Sequence, residues 1–288
     1  MPSPTLLEPG ALAKLSARSF ETVRRLVYDQ AGIDLRPGKE ELVAARLARL
    51  VRVHNLASCD AYVERLLADR TSNSLTELID AISTNHTAFL REIAHFEFFE
   101  RYIAPKLARR SEIYLWCAAA ATGEEPYSLL FSALEILGPS AAKACRILAT
   151  DISGKALATA ERAIYSEERI APLPKDWLRR YFLRGEAESK GLYRVKPEYR
   201  GQVEFRKLNL IEPIALGGQF PLISCRNVMI YFDPPTQRRV VESLAAHLEP
   251  GGFLFIGHSD ALTGAHPLLT PVRPAIFQRI GGASGRGA

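Results

Sequence analysis

Apolar residues recur at intervals of three and four through the first third of the chain, which is the spacing of one face of an α-helix. The pattern predicts four helices and no strand up to about residue 83. The first helix opens at Ser19 or Phe20 and closes at Gly32, the second follows Pro37 and Gly38, and Ser58 and Ser74 cap the third and fourth. Residues 1–83 are therefore expected to form a small all-helical domain.

The pattern changes near Ile113 to short apolar runs that alternate with helical segments. Such runs are typical of a mainly parallel sheet covered on both faces, so we predict an α/β, doubly wound fold. The predicted strands are Ile113–Cys117, Arg146–Thr150, Val203–Phe205, Leu222–Cys225, Phe253–Ile256 and Ala275–Ile280, the last antiparallel at the sheet edge. A helix capped by Asp233 is predicted to stop at Pro250. The expected domains are a connecting segment at 84–112, a sheet domain at 113–281 and a disordered tail at 282–288.

The four cysteines and six histidines are scattered, without a C-x-x-C pair or H-E-x-x-H spacing. This predicts buried thiols in a reducing compartment and no metal site. No apolar run approaches the roughly 20 residues of a membrane-spanning helix, and the residues after Met1 lack the pattern of a secretory signal. The expected location is the cytoplasm, without membrane insertion.

A doubly wound sheet binds its ligand beyond the carboxyl ends of its strands. The loop after the first predicted strand contains small residues followed by Glu124 and Glu125, not the G-x-G-x-x-G of a dinucleotide site. Carboxylates at this position would repel phosphate and attract the cationic sulfonium and amino groups of S-adenosylmethionine. The loop therefore favours that cofactor.

Polar residues also follow the next three predicted strands. Asp151 is placed to accept both hydroxyls of a ribose, although the cap of the following helix is an equally good interpretation. Asn209 and Asn227 could hold adenine or the amino-acid end of the cofactor through their amides.

Three motifs together resemble those of the chemotaxis receptor methyltransferases of the CheR type: Ser83–Glu92 (STNHTAFLRE), Thr122–Ser128 (TGEEPYS) and Cys225–Phe232 (CRNVMIYF). They stand in the order of that family, and the resemblance covers nearly the whole chain. Cys117 and the alanine-rich turn after it depart from the expected serine and glycine-rich turn, but no required side chain is lost.

The resemblance implies an S-adenosylmethionine-dependent methyltransferase sheet and an EC 2.1.1 activity, the methyl esterification of glutamate side chains on methyl-accepting chemotaxis receptors for sensory adaptation. S-adenosylhomocysteine is the implied product. The segment 84–112 is expected to close over the cofactor. The implied cofactor-binding residues are Asn85, Thr87, Arg91, Glu125, Asp151, Asn209, Leu210, Arg226 and Asn227.

A glutamate side chain, with a reference pKa of about 4.3, is ionised at neutral pH and needs no general base to attack a sulfonium methyl group. The enzyme has to supply orientation and a site from which water is removed. Arg91 and Tyr231 are the candidate catalytic residues that hold the substrate carboxylate. Arg91 binding only the cofactor or serving the structure, and Tyr231 packing in the core, are the alternatives.

Part of the formal charge of +5 is concentrated on the second predicted helix, in Arg46, Arg49 and Arg52. Since the methylated regions of receptors are implied to be glutamate-rich helices, these arginines are the candidate substrate-recognition residues. An ordinary solvated helix face is the alternative.

A small β-subdomain is predicted near residues 186–202. The resemblance implies that such an insertion can bind a receptor C-terminal tail peptide by strand addition. An ordinary edge hairpin is an equally good interpretation.

Two other classes of function stay open. A nucleic-acid methyltransferase commonly carries an N-P-P-Y-type motif after the fourth strand, where this chain has Arg226–Met229, so no nucleic-acid partner is expected. A catalytically silent S-adenosylmethionine-binding signalling module is excluded only weakly. We expect a monomer.

Overall fold

The computed structural model describes residues 14–69, 71–260, 262 and 266–281. The chain divides into two compact units between Thr84 and Asn85, and Tyr231–Asp233 belongs with the first unit. The predicted tail, 282–288, lies outside the described residues. No helix in the described ranges is long and apolar enough to cross a membrane.

Four helices make up the described part of the first unit: α1 (Ala17–Ala31), α2 (Glu40–Val53), α3 (Cys59–Ala68) and α4 (Ser72–Ile82). Their apolar faces form a core in which Val27, Leu47 and Leu78 are fully buried. The predicted cap Ser58 is confirmed, since its hydroxyl accepts from the amide of Ala61.

Two predicted helix starts in this unit were wrong. Helix α1 begins earlier than Ser19, because the hydroxyl of Ser16 accepts from the Ser19 amide and caps the helix. Thr71, not Ser74, caps α4, and its hydroxyl accepts from the Ser74 amide at 3.3 Å. In both cases a hydroxyl three residues earlier accepts a hydrogen bond from the backbone amide of the predicted cap residue.

The described residues of the second unit contain ten strands: β1 (Ile113–Cys117), β2 (Cys145–Asp151), β3 (Ile164–Ser166), β4 (Phe182–Arg184), β5 (Leu192–Val195), β6 (Val203–Lys207), β7 (Phe220–Cys225), β8 (Leu248–Ile256), β9 (Leu269–Arg273) and β10 (Ile276–Arg279). Its α-helices are α5 (Ala94–Phe98), α6 (Ala104–Leu107), α7 (Glu124–Ile136), α8 (Pro139–Ala144), α9 (Gly154–Arg162), α10 (Glu167–Ile170), α11 (Lys175–Tyr181), α12 (Pro197–Arg200) and α13 (Pro234–Ala246). A π-helix, Phe99–Ile103, joins α5 to α6, and 3₁₀ turns occur at Ala187–Ser189 and Met229–Tyr231.

Seven of these strands form the main sheet, in the order β6-β2-β1-β7-β8-β10-β9. The first five are parallel, and β10 is antiparallel to both β8 and β9. The strand order reverses at β1, which makes the gap between β1 and β7 the topological switch point of a doubly wound sheet. The predicted α/β fold is therefore confirmed.

The end of this sheet differs from the prediction in two respects. The strand predicted at the edge, now β10, is covered by β9, which the sequence pattern did not reveal. Helix α13 ends at Ala246, and the Pro250–Gly252 segment lies inside β8 instead of stopping the helix. A register shift against β7 accommodates that segment, because Phe220 pairs with Leu248 while Leu222 pairs with Phe253.

The other three strands form a small antiparallel sheet in the order β3-β5-β4. Its strands lie between residues 164 and 195, and of them only β5 falls within 186–202. Strands of three residues are too short to show a period in the sequence. An aromatic cluster supports this sheet, with Phe131 and Tyr181 stacked at a ring distance of 4.2 Å.

Candidate active site

The site lies where the sheet topology predicts a ligand, at the carboxyl ends of the parallel strands. In sheet order, these ends carry Asn209 after β6, Asp151 at the end of β2, the 118–123 loop after β1, and Arg226 and Asn227 after β7. The sheet therefore brings together residues that are up to 109 positions apart in the chain, from Ala118 to Asn227.

Asp151 fixes the loop that follows β1. Its Oδ2 accepts from the Ala121 amide at 2.8 Å, and its Oδ1 accepts from the Ser153 amide at 2.9 Å. The cap of α9 is Ser153, whose hydroxyl accepts from the Ala156 amide. Asp151 is thus not the helix cap that the sequence left open as an alternative.

The same loop passes close to its surroundings at Gly123. The φ of Gly123 is 97°, and a Cβ atom there would lie 2.7 Å from the Tyr165 hydroxyl and 2.9 Å from the Ala160 Cβ. Only glycine fits a position that combines left-handed backbone with this contact.

Glu124, at the start of α7, is fully buried and pairs with Arg169. Its Oε2 also accepts from the Thr122 hydroxyl at 2.8 Å. Burial lowers the pKa of Arg169, whose guanidinium lies over the Tyr165 ring at 5.4 Å. The pair connects the β1 loop to α10.

Glu125 contacts the end of β7, the strand on the other side of the switch point from β1. Its Oε1 accepts from the Ser224 hydroxyl at 2.5 Å, and its Oε2 lies 3.1 Å from Nη1 of Arg226. Since both acidic residues of this loop have arginine partners, the loop does not present two free negative charges as the sequence argument assumed. A third carboxylate, that of Glu92, lies beside the same arginine, Arg226, and adds negative charge to the site.

Glu92 is a site residue that the sequence reasoning did not assign. Its Oε2 lies 3.2 Å from Nη2 of Arg226 and accepts from the His258 amide at 3.2 Å, and its Oε1 accepts from Nδ2 of Asn227 at 3.2 Å. Burial raises the pKa of Glu92, but the Asn227 hydrogen bond and the Arg226 charge outweigh it and hold the pKa below its usual value. The carboxylate is therefore ionised at neutral pH. Its place inside the Ser83–Glu92 motif was the available signal.

Asp260 is the second missed residue. It accepts from the amides of Asn227 at 2.6 Å, Gly257 at 2.7 Å and Ile230 at 3.1 Å. Burial raises its pKa, and the three amide hydrogen bonds oppose that shift. The segment Gly257–Asp260 follows β8, so the rule of searching strand ends would have found it.

Asn85 and Thr87 lie on the other side of the β1 loop. Both line a cavity of about 350 Å³ together with Glu124 and Arg169. The Nδ2 of Asn85 is 3.5 Å from the Ser153 hydroxyl. The predicted cofactor residues of the connecting segment therefore border the same loop as Asp151.

Arg91 contributes to the site in two ways. Its backbone carbonyl accepts a hydrogen bond from Arg226, and its own Nη1 donates to the His86 carbonyl at 3.1 Å. Its guanidinium forms no ion pair with any described residue. A cation in this state is available to an anionic ligand.

Asn209 and Leu210 lie beside Asp151, because the Leu208 amide donates to the Asp151 carbonyl at 3.0 Å. The Asn209 amide donates to Glu212 Oε1 at 2.9 Å, and Leu210 is buried. Their predicted contact with a cofactor stays a prediction.

The remaining predicted residues belong to the first unit. Tyr231 is half-buried there, and its carbonyl accepts from the Asp34 amide at 2.7 Å. On α2, Arg46 donates to the Ile82 carbonyl and to the Thr84 hydroxyl, whereas Arg49 and Arg52 are exposed. Arg46 therefore ties α2 to the end of α4, and only the other two present free charge.

The family model described as "CheR methyltransferase, SAM binding domain" matches residues 85–274, and the one described as "CheR methyltransferase, all-alpha domain" matches residues 18–83. The chain belongs to the CheR methyltransferase family. The boundary between the two CheR matches coincides with the division between the two compact units.

Relatives agree with this membership of the CheR family. The chain is 39% identical over 259 residues to chemotaxis protein methyltransferase 2 of Pseudomonas aeruginosa, covering 90% of this chain and 91% of the relative. It is 40% identical to the chemotaxis protein methyltransferase of Klebsiella aerogenes, with 85% and 84% covered, and 37% identical to that of Escherichia coli, with 88% of each chain covered.

These matches confirm the predicted S-adenosylmethionine-dependent methyltransferase, its cofactor and its place in chemotaxis. The nucleic-acid and silent-sensor alternatives are not favoured.

Proposed function

We propose that the strand-end site transfers a methyl group to the γ-carboxylate of receptor glutamates, with the residues named from the sequence holding cofactor and substrate. The observation that supports this most is the arrangement at the switch point, where Arg226 contacts both Glu125 and Glu92. Glu92 in turn accepts a hydrogen bond from Asn227. S-adenosylmethionine supplies an electrophilic methyl group on a sulfonium centre. An O–CH₃ bond forms as the S–CH₃ bond breaks, and S-adenosylhomocysteine leaves as a neutral thioether.

The donor set of this chain fits that cofactor. The side chains assigned to the site carry an excess of negative formal charge, which suits a cationic ligand. The count is four carboxylates, those of Glu92, Glu124, Glu125 and Asp151, against three guanidinium groups, those of Arg91, Arg169 and Arg226. We assign Asp151, at the end of β2, to the ribose hydroxyls. The free guanidinium of Arg91 suits a carboxylate.

The substrate carboxylate requires orientation, not deprotonation. We assign orientation to Arg91 and, as a second contact, to the hydroxyl of Tyr231. Arg91 is supported by a guanidinium that forms no ion pair with a described residue, and Tyr231 by its place in the segment after β7, the strand next to β1.

Substrate recognition is proposed for the exposed face of α2. Arg49 and Arg52 are one helical turn apart, are exposed and form no ion pair with a described residue. They would attract a glutamate-rich receptor helix through long-range charge, which acts mainly on the rate of encounter. Arg46, which was grouped with them, is held by Ile82 and Thr84 and is assigned a structural part.

A receptor tail peptide is proposed to add to the outer edge of β4. In the part of the chain that the structure describes, β4 pairs with β5 alone, and Leu183 is exposed on it beside the exposed Arg184. Exposed edge strands bind peptides through backbone hydrogen bonds. We further propose that the enzyme acts as a monomer in the cytoplasm, where the receptor helices are accessible.

The test is transfer of radiolabelled methyl from S-adenosylmethionine to receptor-rich membranes, followed by mild alkali. Alkali-labile label that disappears in Arg91→Ala and persists in Arg109→Ala would support a carboxyl methyl ester formed at this site. Arg109 is an exposed arginine of the same unit and serves as the matched control. Alkali-stable label would overturn the ester assignment, and full activity in Arg91→Ala would overturn its role.

A further inference from the structure

Among the described residues, Glu92 is the side chain that contacts both residues proposed to hold the cofactor after β7. Each carboxylate oxygen lies 3.2 Å from one of them, Oε1 from the Asn227 amide and Oε2 from the Arg226 guanidinium. The His258 amide, after β8, adds a third donor at 3.2 Å. One carboxylate therefore joins the connecting segment to two neighbouring strand ends.

The backbone on both sides is held in an unusual conformation. Glu92 and Asn227 both have a φ of 57°, in the left-handed region that side chains other than glycine adopt rarely. Such conformations persist where the surrounding contacts determine them, and they cluster at functional sites. The Glu92–Asn227 hydrogen bond connects the two strained residues directly.

A metal ion is one alternative explanation of this cluster, because Glu92, His95 and His258 have potential ligand atoms within 4.8 Å of one another. The charge balance argues otherwise. The guanidinium of Arg226 lies 3.2 Å from Oε2 of Glu92 and 3.1 Å from Oε2 of Glu125. Arg226 already supplies a positive charge to Glu92, so no metal ion is needed to explain the position of this carboxylate.

His95 supports Glu92 from behind. Its ring is almost fully buried, with Nε2 3.3 Å from the Ala275 carbonyl and Nδ1 3.5 Å from Glu92 Oε2. The ring also contacts Phe255 at 5.0 Å and His258 at 5.2 Å between ring centroids. This packing limits the positions open to the Glu92 carboxylate.

We propose that Glu92 is a positioning residue, which orients Asn227 and Arg226 for cofactor binding without touching the reacting atoms. The inference rests on the proposed roles of those two residues. If Glu92 acts through Asn227, removing either group should produce the same loss, and removing both should add little.

A double-mutant cycle measures this directly. Glu92→Gln keeps the shape and removes the charge, and Asn227→Gly removes the amide while relieving the left-handed backbone. Calorimetry with S-adenosylhomocysteine as the probe should show a Kd raised about tenfold by each change, and raised by no more than about twentyfold in the double variant. An increase of about a hundredfold in the double variant would mean independent effects and would overturn the inference.

Controls separate folding from positioning. Glu97→Gln, an exposed glutamate five residues further on, should leave the Kd unchanged, and thermal melting should show all variants folded. The KM for receptor should stay constant in Glu92→Gln while the KM for S-adenosylmethionine rises, a split that general destabilisation would not produce. If Asn227→Gly does not fold, the same cycle with Arg226→Lys decides the matter by the same criterion.

The proposed function and this inference fail in different ways. A wild-type chain that neither binds S-adenosylhomocysteine nor transfers methyl groups would contradict the function itself. A wild-type chain that does both, with additive effects of the two substitutions, would contradict only the part assigned to Glu92.

Discussion

Arg226 differs sharply in its surroundings from Arg49 and Arg52. Arg226, in the sheet unit, has a side chain only 1% exposed and lies between Glu92 and Glu125. Arg49 and Arg52, in the helical unit, are exposed and have no ion-pair partner among the described residues. A buried, paired charge fixes geometry at a site, whereas an exposed, unpaired charge changes how often a partner arrives. Arg169, with a 35% exposed side chain paired to Glu124, is intermediate.

The largest effect is expected from Arg226→Met. The change leaves Glu92 and Glu125 without their cation, and breaking a buried pair in this way costs about 3–5 kcal/mol in the free energy of unfolding. Urea unfolding of the purified variant measures it. Binding of S-adenosylhomocysteine should also be lost. A cost below about 1 kcal/mol would show that the two carboxylates find other partners.

The adjacent pair Glu124 and Glu125 sharpens the comparison. Glu124→Gln should lower the free energy of unfolding by about 1–3 kcal/mol, because it weakens a buried hydrogen-bonded contact to Arg169 and Thr122. Glu125→Gln should instead raise the Kd for S-adenosylhomocysteine at least tenfold, a loss of about 1.4 kcal/mol. Equal effects of the two substitutions on ligand binding would contradict the separate roles.

Reversal of the exposed charges should change only the KM for receptor. In Arg49→Glu with Arg52→Glu, the KM for receptor is expected to rise about tenfold at low salt and much less at high salt, while the kcat stays constant. Steady-state kinetics over a range of salt concentrations measures this. Arg46→Met is the matched control, since it should reduce stability without changing the salt dependence. Unchanged kinetics in the reversed variant would remove the recognition role.

The smallest effect concerns pH. Burial, together with the nearby Arg226 charge, lowers the pKa of His95 from 6.5, although Glu92 and Glu125 oppose the shift. The folded protein therefore binds this proton less readily than the unfolded chain, so the stabilisation is complete above pH 6.5 and declines as the pH falls below it. Unfolding measured between pH 7.5 and 5.5 should show this slope. His95→Asn should flatten the slope, and the same change at the exposed His86 should not.

The sequence predicted the helical unit and the parallel sheet well, because long amphipathic helices and buried strands have clear periods. It missed β9, β3 and β4, which are short or exposed and carry no such period. Strand ends pointed to Asp151, Glu125 and Asn227 because parallel strands share one ligand-binding edge.

The partners of those residues could not be read in the same way. No local pattern shows that Glu124 and Glu125, adjacent in the chain, face Arg169 and Arg226. Nor does the even spacing of Arg46, Arg49 and Arg52 show that the first is held by Ile82 and Thr84. Pairings between distant segments depend on the tertiary fold.

The Asp260 carboxylate also has a consequence for motion. Because it binds the amides of Asn227, Ile230 and Gly257 at once, the turns after β7 and β8 cannot open separately without leaving a buried acceptor unsatisfied. Local opening that frees one turn should therefore free the other, on one timescale. Hydrogen exchange at these three amides would then report a single cooperative event. Release of product that requires this opening would occur at the same rate.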